Sequence, residues 1–136
     1  MDKRIRSEAK ITVQSSKAIP YDQTASPALL EIRLSETFSG GIDGKSTVRA
    51  LQASDDNGHA SMAMLQRFQG TLDGRQGTFV LQGSATVTDG KITATWFVVP
   101  RSGRGELSGL RGEGGFDGDF GKGSVGYLEY WFETAS

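Results

Sequence analysis

The sequence predicts an all-β domain, an eight-stranded antiparallel barrel, from alternating apolar residues, closely spaced turn pairs and a duplicated hairpin unit. Phe38-Ser-Gly-Gly-Ile-Asp-Gly-Lys45 returns thirty residues later as Phe68-Gln-Gly-Thr-Leu-Asp-Gly-Arg75. Asp-Gly favours the type I′ hairpin, whose two central residues both need positive φ. Asp43-Gly44, Asn57-Gly58, Asp73-Gly74, Asp89-Gly90 and Asp117-Gly118 supply such pairs, 14 to 16 residues apart through the middle of the chain. That spacing describes a meander of long strands. A chain of 136 residues makes one domain, 1–136, and its nineteen glycines against three prolines fall at turns rather than in a low-complexity tract.

The first strand is Ala9–Ser15, with Ala9, Ile11, Val13 and Ser15 on one face and Lys10, Thr12 and Gln14 on the other. Lys17 to Pro27 carries Pro20 and Pro27 and reads as a loop. Leu30, Ile32, Leu34 and Phe38 then line one face of a second strand, with Glu36 as an acidic member of that apolar row. Six more strands follow at about 45–54, 59–70, 75–88, 91–99, 105–116 and 123–133. Strands of this length, tilted at roughly 35–45°, build a wall taller than a minimal sandwich needs, and closure removes every unpaired edge. A two-sheet sandwich is the alternative. A barrel of this size either fills its interior with side chains or encloses one small ligand.

Several apolar rows carry a single polar group: Met62, Met64, Gln66 and Phe68; Val80 and Gln82; Tyr127, Glu129 and Trp131. Ile92, Ala94, Trp96 and Val98 form a wholly apolar row. Alternation leaves open which face of each strand looks inward.

Fifteen basic and sixteen acidic side chains give a net charge of -1, so no long-range field selects nucleic acid or an anionic membrane. The absence of cysteine excludes disulfides, thiolate metal sites and a cysteine nucleophile. With no apolar leader and no membrane-length apolar run, the chain reads as a soluble, cytoplasmic protein. The lone His59 follows the Asn57-Gly58 turn and reads as a surface residue. No metal site and no cofactor site are expected. Ser102-Gly-Arg-Gly-Glu106 lacks the Gly-Lys-Ser/Thr ending and following helix of a phosphate loop, so its glycines read as structural.

Neither a lipocalin, which would show Gly-x-Trp in its first strand, nor a fatty-acid-binding protein, which needs a helical pair after it, fits this chain. Phe68-Gln-Gly-Thr-Leu-Asp-Gly-Arg-Gln-Gly-Thr-Phe-Val-Leu-Gln82, Val98-Val-Pro-Arg-Ser-Gly-Arg-Gly-Glu-Leu-Ser-Gly-Leu-Arg-Gly-Glu-Gly-Gly-Phe116 and Tyr127-Leu-Glu-Tyr-Trp-Phe132 resemble the DUF3224 family of small bacterial domains. The resemblance extends back to Pro20-Tyr21. It implies an allene-oxide-cyclase-like barrel, distantly related to plant cyclases and dirigent proteins, and implies no reaction. Three positions depart from the family pattern: Gln66 replaces a frequent glutamate, Gly83 a frequent histidine and Arg104 a usual threonine. A homodimer is expected, because related barrels associate and the aromatic C-terminal strand offers an apolar surface.

Three functions remain open at this level: binding of a small apolar or aromatic molecule in the barrel, an isomerase- or cyclase-type enzyme using a barrel carboxylate, and a structural or interaction role with a packed interior. The functional readings gather Glu129 and Tyr127 as catalytic candidates, with Arg49, Met64, Gln66, Gln82, Trp96 and Trp131 around a cavity. Glu106 and Arg111 are structural candidates, able to pair directly only across a bulge because an odd separation puts them on opposite strand faces. A barrel filled by Phe38, Phe68, Phe79 and Trp96 would leave no room for a ligand.

Overall fold

Hydrophobic alternation and turn chemistry do produce a closed barrel. The computed structural model describes residues 3–119 and 122–133. Its strands are β1 (Ile5–Asp22), β2 (Ala28–Gly40), β3 (Ile42–Ser54), β4 (His59–Leu72), β5 (Arg75–Thr88), β6 (Lys91–Val98), β7 (Arg104–Gly105), β8 (Leu110–Asp119) and β9 (Gly123–Phe132). The sheet runs β4-β3-β2-β1-β9-β8-β6-β5, and pairing of β4 with β5 closes it into eight antiparallel strands. The two-sheet sandwich is thereby excluded. The two-residue β7 lies outside the ring and pairs with Gly77 and Thr78 of β5.

Three of the expected turn pairs make turns. Asp73 and Gly74 both have positive φ, 47° and 89°, as do Asp89 and Gly90, 53° and 80°, which are type I′ requirements. Gly58 lies in the β3–β4 reversal with φ 81°. Asp43-Gly44 and Asp117-Gly118 instead lie within β3 and β8. In the first copy the β2–β3 reversal falls at Gly40-Gly41, so the duplicated unit holds two different geometries. What its copies share is a side-chain pattern: Phe38 and Phe68 both point inward and meet edge to face at 5.4 Å. Ile42 and Leu72 pair directly across β3 and β4.

Lys17–Asp22, expected as a loop, continues β1 and pairs with β2 as far as Leu29. Pairing of β1 with β9 stops at Ile11–Ser124, so Pro20 costs no ladder bond on that second, open edge. A bulge between Val13 and Ser15 bends β1 and reverses its alternation. Ser15 consequently faces outward, bonded to Ser35 at 2.6 Å, and is not in line with Ile11.

The interior has two compartments. One holds Phe38, Phe68, Phe79 and Trp96, with Leu107 and Leu110 from the segment around β7 closing that end. Ring centroids lie 4.9 Å apart for Phe68–Phe79 and 6.3 Å for Phe38–Trp96. Beneath the closed end, Asp73 accepts hydrogen bonds from Ser7 Oγ at 2.9 Å and from the Tyr130 hydroxyl at 2.6 Å. Burial first, and then Asp73, pushes the Tyr130 phenol up to about 12. The other compartment is walled by Ile32, Val48, Ala50, Met62, Met64 and Ala85, smaller or more flexible side chains that leave space between them.

Phe68 is wholly buried between two rings. Phe68→Ala is expected to lose about 3–5 kcal/mol in urea unfolding. Leu65→Ala, on the outer face at 52% exposure, is expected to change stability by no more than about 0.5 kcal/mol. Equal losses in the two variants would show that the aromatic plug does not bear the stability assigned to it.

Candidate functional site

The half of the barrel left open by the aromatic plug contains a cavity of about 230 Å³. Its wall includes Ile32, Leu34, Val48, Ala50, Met62, Met64, Ile92 and Phe116. Its rim lies where β1 leaves the ring: Val13, Ser16 and Ala18 on one side, Asp119, Gly123 and Ser124 on the other. The bulge in β1 and the short reach of β9 thus create the opening.

Polar groups in this space are few. Glu36 stands opposite Ser46 across the β2–β3 ladder, and Ser46 stands opposite Phe68 across β3–β4, so the carboxyl is set at the edge of the aromatic plug. The Ser46 hydroxyl donates to Gln66 Oε1 at 2.7 Å in a fully buried bond. Gln52, at 8% exposure, lines the same cavity, and its Oε1 receives no hydrogen bond. Among the described residues no cationic nitrogen lies within ion-pair distance of Glu36; the nearby cations Arg33 and Arg49 lie with Glu31 on the outer face. Burial alone therefore pushes the Glu36 carboxyl up to about 7. A carboxyl poised there exchanges a proton near neutral pH, the condition for either an acid–base group or a titratable ligand anchor.

Of the residues expected to line the cavity, Met64 and Gln66 do. Trp96 points inward but is packed in the plug, 5.2 Å from Phe116, with its indole N–H donating to the Tyr127 carbonyl at 3.0 Å. Gly126 faces that ring: a Cβ there would stand 3.2 Å from the indole and 2.8 Å from Ile11 Cδ1. Glycine at 126 therefore fixes Leu128 and Tyr130 as the inward residues of β9. This corrects the placement of Tyr127, Glu129 and Trp131, which face outward. The Arg6 guanidinium covers the Tyr127 ring at 3.9 Å and reaches Glu129 at 3.4 Å, and Arg4 covers Trp131 at 4.4 Å. These cations also cap the aromatic surface expected to serve a dimer.

Arg49 and Gln82 face outward as well, because Phe79 and Leu81 take the inward positions of β5 and Val48 and Ala50 those of β3. Gln82, Tyr127 and Glu129 line one open groove on the outer wall. Glu106 and Arg111 do not pair: Glu106 accepts from the Gln76 backbone N–H at 3.1 Å, fastening the segment around β7, and Arg111 pairs with Glu133 at 2.5 Å. The half-buried carboxylate overlooked as a site residue is Glu36. Its position in the Leu30–Phe38 row was the available signal.

The raised Glu36 value has a stability consequence. A carboxyl that holds its proton more tightly when folded leaves the fold most stable below its ordinary 4.5, and stability falls as pH rises toward about 7. Over that interval wild type should lose on the order of 3 kcal/mol relative to Glu36→Gln. Urea midpoints of both proteins at acidic and mildly alkaline pH measure this, and a pH-independent difference would overturn the burial of an unpaired carboxyl.

A family model described as "Protein of unknown function (DUF3224)" matches residues 6–133. A crystal structure of a DUF3224 family protein of unknown function from Shewanella oneidensis MR-1 superposes with a TM-score of 0.77 at 30% identity, covering 98% of this chain and 100% of that one. No curated protein matches the sequence. Matched along nearly its whole length by the family model and by a family member's structure, the chain belongs to the DUF3224 family.

Proposed function

We propose that this barrel binds a small, largely apolar molecule in its open half, with Glu36 as the polar anchor. The observation that carries the reading is the coexistence of an apolar cavity of about 230 Å³ with an unpaired carboxyl and an unsatisfied Gln52 Oε1. An empty apolar cavity of about 150 Å³ already admits benzene, so the space suits a molecule slightly larger than one ring. Met62 and Met64 give the wall adjustable shape, since methionine rotates about three bonds and packs against varied surfaces. A fully packed structural barrel is the weaker reading, because the plug occupies only one compartment.

A second reading is a cofactor-independent isomerase- or cyclase-type enzyme. It is favoured by the near-neutral Glu36, which could take a proton from a bound substrate and return it elsewhere. A place in the allene-oxide-cyclase-like superfamily belongs to the same reading, supported by the barrel form and the motif resemblance. Here the barrel carboxylate is Glu36 rather than Glu129.

Incubation with a metabolite extract, followed by native mass spectrometry and product analysis, separates the readings. A retained, unchanged molecule supports the carrier and counts against catalysis; consumption with product formation supports the enzyme. Ala50→Phe, which places a ring in the cavity, is expected to abolish retention, with folding checked by circular dichroism. Retention unchanged in that folded variant would exclude the cavity as the site. If turnover is seen, Glu36→Gln is expected to eliminate it, and undiminished turnover would remove Glu36 from the chemistry.

A further inference from the structure

Two acceptors in the cavity lack a partner. Gln66 Oε1 already has its donor in Ser46, whereas Gln52 Oε1 has none. Glu36, once ionised, is a second acceptor without a donor. The charged groups facing this space are few: Lys17 of β1 is exposed at the rim, and Asp119 of β8 is held by Lys91. The lining contributed by β3, β4, β6 and β9 is uncharged. Among the described residues the interior thus holds a latent negative charge with no cation at ion-pair distance, and Lys17 stands only at the rim.

These acceptors are separated. Glu36 pairs with Ser46 and Leu30 with Gln52 on the same ladder, so the two positions lie six residues apart along it. At about 3.3 Å per residue their backbones stand roughly 20 Å apart, and both residues line the same largely apolar space. A ligand that satisfied both would be elongated, with a donor at each end and an apolar middle.

Building on the ligand-site reading, we propose that the cavity selects a small elongated amine, whose ammonium group pairs with Glu36 and whose far-end N–H or O–H donor reaches Gln52. A carboxylate ligand would set a like charge against ionised Glu36. A neutral carbonyl compound could accept a bond from protonated Glu36 but would leave Gln52 Oε1 unpaired in an apolar wall, which costs binding. Only a donor-bearing molecule satisfies both groups.

The chain has three methionines, two of which, Met62 and Met64, line the cavity, so ¹³C-methyl methionine labelling reports directly on its occupancy. The probes are n-hexylamine, n-hexanol, hexanoate and aminohexanol, titrated at mildly alkaline pH. Hexylamine is expected to bind about tenfold or more tightly than hexanol, as a charge-assisted bond implies, and hexanoate more weakly than either. Glu36→Gln should bring the amine down to the alcohol. Aminohexanol should exceed hexylamine in wild type but not in Gln52→Leu. Hexylamine affinity should fall about tenfold per pH unit below about 7, as Glu36 gains its proton, and stay level just above it.

Hexanol or hexanoate binding as tightly as the amine would overturn the amine proposal while leaving the cavity a ligand site. Failure of all four probes to move the Met62 and Met64 methyls would remove the ligand-site reading and this inference together. Circular dichroism of each variant ensures that lost binding is not lost folding.

Discussion

Every functional feature of this barrel depends on how one end is filled. Eight strands enclose an interior that side chains can just occupy, and here four aromatic rings concentrate in one half. Phe38, Phe68, Phe79 and Trp96 supply most of the bulk there, and Leu107 and Leu110 cap them. The facing positions in the other half are Ala50, Ala85 and Ala94 with Val48, Ile32 and two methionines. Uneven allocation of side-chain volume along the barrel makes the cavity. The plug bears the packing energy, leaving the open half under weaker packing constraint.

The opening of that half follows, among the described residues, from strand length. β1 extends past the end of β9, and the bulge at Val13–Ser15 swings it outward. The duplicated hairpin unit contributes in the same indirect way. Its copies meet side by side as Phe38 against Phe68 and Ile42 against Leu72, building the plug from two related pieces. The chemistry comes from residues the copies do not share: Glu36 lies just before the first copy, and Gln66 just before the second.

Glu36 is the energetic counterpart of the plug. A carboxyl held without a counter-ion disfavours its own charge, and stability is lost as pH rises. A leucine or glutamine at position 36 would remove that cost. On the outer wall, Tyr127, Glu129 and Trp131 are engaged with Arg4 and Arg6, whose exposed ion pairs contribute little stability on their own.

Alternation, turn pairs and family-like motifs were sufficient in the sequence to determine an all-β chain, the approximate strand positions and the family. Local chemistry suffices where Asp73-Gly74 and Asp89-Gly90 adopt positive φ and where Ile92–Val98 alternates, whereas strand pairing overrides it at Asp43-Gly44 and Asp117-Gly118. Alternation left the inward face of β6 and of Met62–Phe68 open, and closure of the barrel turned the more apolar row of each inward. The phase of β9 was not legible either, since Tyr127 and Trp131 resemble core residues until Arg6 of β1 and Arg4 just before it reach them, more than a hundred residues away in sequence. Only tertiary structure could show that the bulky Trp96 ring demands Gly126 beneath it and so turns Leu128 inward. Only closure of the sheet could turn Glu36 from an acidic residue in an apolar row into an unpaired carboxyl facing a cavity, because burial belongs to the whole barrel and to no single strand.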